Sequence, residues 1–167
     1  MAQLYLPGQL TPDHVTAVGA VVIEWSRFEN LLQQTFWILS RLETRQGRCI
    51  TQYMSFFSLW NAIKSLALEV QVSEDTSNNL DEIFNECDAL RIKRNNFVHS
   101  IWGGSPESKN AGEGEATAIT IKARNYLEIK HQNIHVDDIA DVRSRISTVS
   151  VKIGDFNQRL KEEVNTL

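Results

Sequence analysis

The sequence predicts an all-α fold, an up-down bundle of four to five helices with a β-hairpin inserted before the last helix. Apolar residues recur at alternating intervals of three and four over four long stretches of the 167-residue chain, which is the spacing of one helix face. Residues 116–133 alternate in twos, as paired strands do. Because each helix has one apolar stripe, the helices must cover one another.

The first helix is expected to begin at Thr11, Pro12 and Asp13 and to continue to about Ser40. Threonine can cap the first free amides, proline tolerates the first helical position, and aspartate suits the positive end of the helix dipole. Glu29 is the single charge that interrupts the apolar stripe of this helix. The predicted inward residues are Val15, Val18, Val22, Trp25, Leu32, Phe36 and Leu39.

Polar residues around Gly47 interrupt the pattern before a second helix, and the polar run 73–79 separates that helix from a third. Arg94 occupies an inward position of the third helix, and Gly103 and Gly104 are expected to stop it in the left-handed conformation. The predicted inward residues are Phe56, Trp60, Ile63, Ala67 and Val70 in the second helix, and Leu80, Ile83, Cys87, Leu90, Phe97 and Ile101 in the third.

Residues 103–115 are rich in glycine, serine and charge, which predicts a mobile surface loop. The hairpin that follows is expected to turn at Arg124 and Asn125. A final helix then returns to the three-four spacing. Its predicted inward residues are Ile139, Val142, Ile146, Val149, Ile153, Phe156 and Leu160.

Composition and charge restrict the class of protein. Hydrophobic residues make up 42% of the chain, and no apolar run approaches the roughly 20 residues that span a membrane. The first ten residues lack the pattern of a secretory signal, and Cys49 and Cys87 stand singly, so a cytoplasmic location without membrane contact is expected. The formal charge of −4 argues against broad electrostatic binding of nucleic acid, so any such contact must be local.

The segment RIKRNNFVHSIWG contains the most informative residue pair, Arg94 and His99. Five helical steps place their side chains about 140° apart, with Arg94 on the apolar stripe and His99 on a polar edge beside Asn95. For both to reach one phosphate, the arginine must reach round, the helix must distort near its end, or a second helix must complete the site.

Residues 94–99, RNNFVH, resemble the signature of the higher eukaryotes and prokaryotes nucleotide-binding (HEPN) superfamily, in which an arginine, a polar residue and a histidine lie near a helix end. The resemblance implies a single HEPN-like helical domain over residues 1–167, with the hairpin at about 116–133 as an insertion. It also implies a metal-independent endoribonuclease, typically a toxin or phage-defence effector. Such enzymes form the active site at a homodimer interface and use no cofactor.

The resemblance implies that Arg94 and His99 are catalytic and that Asn95 supports them. Their chemistry agrees with this role, because a planar guanidinium can bind phosphoryl oxygens with two parallel hydrogen bonds. A histidine titrates near neutrality and can transfer the protons of the reaction, which typically contributes about 10² to 10⁴ in rate.

The expected partners are RNA, a second copy of the chain, and a cognate antitoxin or regulatory protein. A two-fold axis would bring two copies of the motif into one groove. Arg91 and Lys93 would add positive charge to that groove, and Trp102 is placed to stack on a base.

A structural interpretation of the same residues stays open. Arg94 and Glu29 each interrupt an apolar stripe, so they could form a buried ion pair in a noncatalytic interaction module, such as an antitoxin or scaffold. The two interpretations are compatible, because Glu29 could also hold Arg94 in place for phosphate. His99 could simply bind terminal helix carbonyls. His131 and His135 have no nearby third ligand, so no metal site is expected.

Overall fold

The computed structural model describes residues 9–103, 111–112, 114–123 and 127–166. These residues form five helices and one three-stranded antiparallel sheet. The helices are α1 (Pro12–Leu39), α2 (Thr44–Thr51), α3 (Phe56–Val70), α4 (Glu74–His99) and α5 (Val136–Thr166), and the strands are β1 (Ile101–Trp102), β2 (Glu115–Ala123) and β3 (Leu127–His135). The fold is mostly helical, as predicted, but the sheet makes the all-α class too strict.

The polar stretch around Gly47, predicted as a break between helices, contains the short helix α2. Its first turn is closed by a hydrogen bond from the backbone N–H of Glu43 to the side-chain oxygen of Gln46, 3.4 Å away. A glutamine three residues after the N-cap is a known helix-start signal. The polar composition of the stretch therefore concealed a helix.

The chain divides into two compact units, and the boundaries fall within α1, α4 and α5. The first unit comprises residues 1–24 and 89–145, and the second comprises residues 25–88 and 146–167. The single domain predicted over residues 1–167 stays a prediction.

The sheet belongs to the first unit, and its strand order is β1-β2-β3. The predicted hairpin is confirmed, with β2 and β3 in register from Glu115 opposite His135 to Ala123 opposite Leu127. Its predicted turn at residues 124–125 lies outside the described residues, as does most of the predicted loop at 103–115.

The third strand was not predicted. Helix α4 ends at His99, and Ile101, expected on its inward stripe, instead pairs with Ile119 in the sheet and is 58% exposed. Gly103 has the expected positive φ of 79°, but it follows β1 rather than the helix, and Gly104 lies outside the described residues.

The N-terminal part of α1 buries a different face from the one predicted. Val15 is 55% exposed, whereas His14 and Val21 are almost fully buried. The buried imidazole of His14 is bound on both sides, with Nδ1 2.7 Å from the hydroxyl of Thr11 and Nε2 3.2 Å from the carbonyl oxygen of Ile134. Thr11 also accepts a weak hydrogen bond from the His14 backbone N–H at 3.4 Å, as expected for a helix cap.

In the second unit, the predicted stripes are largely confirmed. Trp25, Phe28, Phe56, Trp60 and Phe84 form an aromatic cluster, in which the rings of Trp60 and Phe84 stack at 4.4 Å between centroids. Predicted inward residues that are buried in this unit include Leu32, Leu39, Ile63, Ala67, Leu80, Ile83, Cys87, Ile146, Val149, Ile153, Phe156 and Leu160. Across the described residues, no helix combines the length and the apolar character needed to cross a bilayer.

Candidate active site

The motif residues lie in the last turns of α4, within the first unit. His99 is the final residue of the helix and is exposed, whereas Arg94 is half-buried. This difference in exposure agrees with the expectation that the two side chains occupy different helix faces. The side chain of His99 is therefore accessible to a ligand from solvent.

Asn95 contacts the arginine directly. Nη1 of Arg94 donates a hydrogen bond to Oδ1 of Asn95 over 2.9 Å. The guanidinium has five N–H donors in a fixed plane, so a bond at one end restrains the orientation of the whole group. Asn95 thus helps to orient the guanidinium of Arg94.

Two carboxylates of α1, Glu29 and Glu24, fall in different units of the structure. Glu29 lies in the second unit, so its predicted pairing with Arg94 stays a prediction. Glu24 lies in the first unit with Arg94, and its Oε2 atom is buried. Sequence reasoning missed Glu24 because it was not among the stripe residues. The sequence pattern gave no signal for it, because Val21, three residues earlier and fully buried, was not a predicted inward residue either.

The end of α4 is fixed to the sheet of the first unit. The indole N–H of Trp102 donates to the carbonyl oxygen of Phe97 at 2.9 Å, and the backbone N–H of Ser100 donates to that of Asn96 at 3.2 Å. The hydroxyls of Ser100 and Thr120 lie 3.1 Å apart, which joins the helix end to β2. The first two bonds satisfy carbonyls that a helix end leaves open, and all three hold the motif in place.

The three residues expected to contact RNA have different environments. Lys93 is exposed and Arg91 is half-buried on α4. Trp102 is partly buried, its ring centroid lies 6.3 Å from that of His14, and its N–H is occupied by Phe97. Stacking of Trp102 on a base stays a prediction. The hydrogen bond from Trp102 to Phe97 also gives this residue a structural role.

The buried Cys87 and the histidines of the hairpin are further candidate reactive groups. Burial raises the pKa of the Cys87 thiol far above its usual range, so the sulfur stays protonated and inert. His135 is 3.3 Å from a carboxylate oxygen of Asp137. Within the described ranges, no group of three or more histidine, cysteine, aspartate or glutamate side chains is arranged to hold a metal ion.

Comparisons of the chain with protein-family models, with curated proteins and with solved structures found no match. The residues of the site must therefore indicate what the protein does.

Proposed function

We propose that this protein is a metal-independent endoribonuclease of HEPN type that acts as a homodimer, with Arg94 and His99 as its catalytic residues. The activity would suit a toxin or a phage-defence effector. The alternative is a noncatalytic interaction module in which Arg94 has only a structural role.

One observation carries the proposal. An arginine restrained by Asn95 and an exposed histidine lie within two turns of each other, at a helix end that is bonded to a sheet. Catalytic groups need such support, because loosely held side chains lose the geometry of the transition state. An exposed imidazole is also accessible to a polymeric substrate.

These groups suit RNA cleavage by internal attack. The 2′-oxygen forms a bond to the adjacent phosphorus while the bond from phosphorus to the 5′-oxygen breaks. His99 of one copy accepts the 2′-proton, and His99 of the second copy donates a proton to the departing 5′-oxygen. Arg94 stabilises the negative charge on the non-bridging oxygens. The products are a 2′,3′-cyclic phosphate and a 5′-hydroxyl.

The test is cleavage of a labelled mixed-sequence RNA by the purified protein in EDTA. Arg94→Ala and His99→Ala are each expected to lower the cleavage rate by at least about 100-fold, the usual contribution of one catalytic group. Arg94→Lys should recover little activity, because lysine lacks the planar fork. A 2′-O-methyl RNA of the same sequence should not be cleaved.

Matched controls separate chemistry from folding. Arg159→Ala and His131→Ala change exposed residues outside the motif and should leave the rate unchanged. His99→Ala should also leave the melting temperature almost unchanged, since an exposed side chain contributes little to stability. Cleavage that survives both motif substitutions would indicate a contaminant, and absence of cleavage from every RNA tested would favour the interaction module.

A further inference from the structure

A large groove lies within the second unit. Its described lining residues come from parts of the chain outside the motif. It has a volume of about 1090 Å³ and is lined by the second-unit parts of α1 and α5, with residues of α2 at one end. Typical small-molecule sites measure roughly 300–1,000 Å³. The groove is therefore large enough for an extended ligand.

The lining of the groove is positive although the protein is acidic overall. Four cationic side chains line it, namely Arg27, Arg41, Arg48 and Lys161, with Asp155 as the single carboxylate among the described lining residues. The whole chain has a formal charge of −4. Concentrating cations in one concave surface of an acidic protein produces a local field that attracts an anion.

The cations are spread along the groove. Arg27 lies in α1 and Arg41 lies two residues beyond its end, and the twelve helical steps from Arg27 to Leu39 correspond to about 18 Å at 1.5 Å per residue. The guanidinium of Arg41 is held over the end of α5, where Nη2 donates to the carbonyl oxygen of Val164 at 3.2 Å. Such spacing suits a ligand with several separated negative charges better than one with a single phosphate.

The groove is polar at its base as well as at its rim. Asn157 is only 6% exposed, accepts a hydrogen bond from Thr35 at 2.7 Å and donates one to the carbonyl oxygen of Leu31 at 2.9 Å. On the wall, the amide of Gln34 donates to Asn30 at 2.9 Å. The lining also contains apolar side chains, among them Leu31, Ile38 and Val151, so the concentration of cations, rather than polarity alone, argues for an anionic ligand.

Gly154 lies inside α5 and lines the groove. A glycine in a helix interior makes the helix less stable than alanine would. A Cβ atom at this position would meet no atom within 4 Å, so packing within the chain does not require the glycine. The missing side chain leaves the helix backbone accessible to a bound molecule.

We infer that this groove binds a single strand of RNA through its phosphodiester backbone. The choice of RNA as the ligand rests on the proposed function. The positive charge and the length of the groove indicate a ligand with several phosphates in a row. Arginine and lysine would contact the phosphates, and the exposed amide of Gln158 could hydrogen-bond to a base or sugar. The groove would thus hold RNA independently of the residues proposed to cut it.

The test is fluorescence anisotropy with a labelled 2′-O-methyl uridine decamer, which cannot be cleaved by 2′-oxygen attack. Arg48→Glu and Lys161→Glu should each weaken binding by at least about fivefold at low salt. Arg48→Ala should lower the slope of log Kd against log salt by about 0.7, the value for one phosphate contact on a single strand. In the described part of the chain, Arg48 and Lys161 form no ion pair, so these changes break none.

Arg159→Glu is the matched control, because it makes the same charge change on an exposed residue of α5 outside the groove lining. Gly154→Leu should block binding, while Gly19→Leu, also in a helix and in open space, should not. Circular dichroism of each variant confirms folding.

Equal weakening by Arg159→Glu and Lys161→Glu would overturn the inference, because net charge would then explain the effect. Competition by ADP as effective as that by the decamer would also overturn it in favour of a single nucleotide. A preference for polyglutamate over the decamer would do so in favour of an acidic protein. Failure of cleavage with intact decamer binding would instead contradict only the proposed function.

Discussion

Gly47 in α2 is packed directly against an aromatic side chain. A Cβ atom there would overlap the indole of Trp37, which is only 6% exposed and donates a hydrogen bond to Thr51 at 3.1 Å. We expect Gly47→Ala to lower the free energy of unfolding by about 1–3 kcal/mol, since the ring cannot move without losing that bond. Urea unfolding monitored by circular dichroism measures the change.

Gly19→Ala is the matched control for Gly47→Ala. Both glycines lie in helices, but a Cβ atom at Gly19 would meet nothing within 4 Å. The free energy of unfolding should therefore stay the same or rise by up to about 1 kcal/mol through helix propensity. Equal destabilisation by both substitutions would contradict the proposed packing of Gly47.

Some of the residues discussed above could be selected from the sequence, and others could not. Arg94, Asn95 and His99 could be selected because their spacing on one helix is local information. His14 and Glu24 could not, because a polar residue is predicted to be exposed unless its partner is known. For His14 one of those partners is the carbonyl of Ile134, 120 residues away.

Among the elements, the junction between α4 and β1 decides how firmly the motif is held. Trp102→Phe keeps an aromatic ring but removes the N–H bonded to the carbonyl oxygen of Phe97. We expect the free energy of unfolding to fall by about 0.5–1.5 kcal/mol, the typical net contribution of one hydrogen bond. Thermal unfolding tests this, and an unchanged stability would show that this hydrogen bond does not stabilise the junction.

The opposite end of α4 is capped by a carboxylate from α5. Glu163 accepts hydrogen bonds from the backbone N–H of Ser73 and the hydroxyl of Thr76 at 2.5 and 2.6 Å. Its slight burial acts to raise the pKa of the carboxyl, but these hydrogen bonds outweigh that effect and hold the pKa below its ordinary value. The positive end of the helix dipole favours the same charged form.

Because its pKa is lowered, the contribution of Glu163 to stability depends on pH. The contribution is present above the ordinary glutamate pKa of 4.5 and is lost as the pH falls through the lower pKa of the folded state. Glu163→Gln should therefore lower the melting temperature at pH 7, and the difference from the wild type should shrink as the pH falls below 4.5. Glu162→Gln, which changes an exposed neighbour, is the matched control.

For the whole molecule, the proposed shared site requires two copies of the chain. We expect the cleavage rate per chain to fall on dilution below the dimer dissociation constant, since a monomer carries only one copy of Arg94 and one of His99. Sedimentation velocity and cleavage measured over the same dilution series test this. A monomeric protein whose activity per chain is independent of concentration would contradict it.

The sequence by itself determined the helical character, the inserted hairpin, most inward residues and the candidate motif. Helix and hairpin periodicity depends on neighbours a few residues apart, so the sequence contains it directly. Only the tertiary structure decided that Ile101 joins a sheet, that His14 rather than Val15 is buried, and that cations from three helices line one groove. Each of these depends on partners distant in the chain, whose position periodicity cannot give.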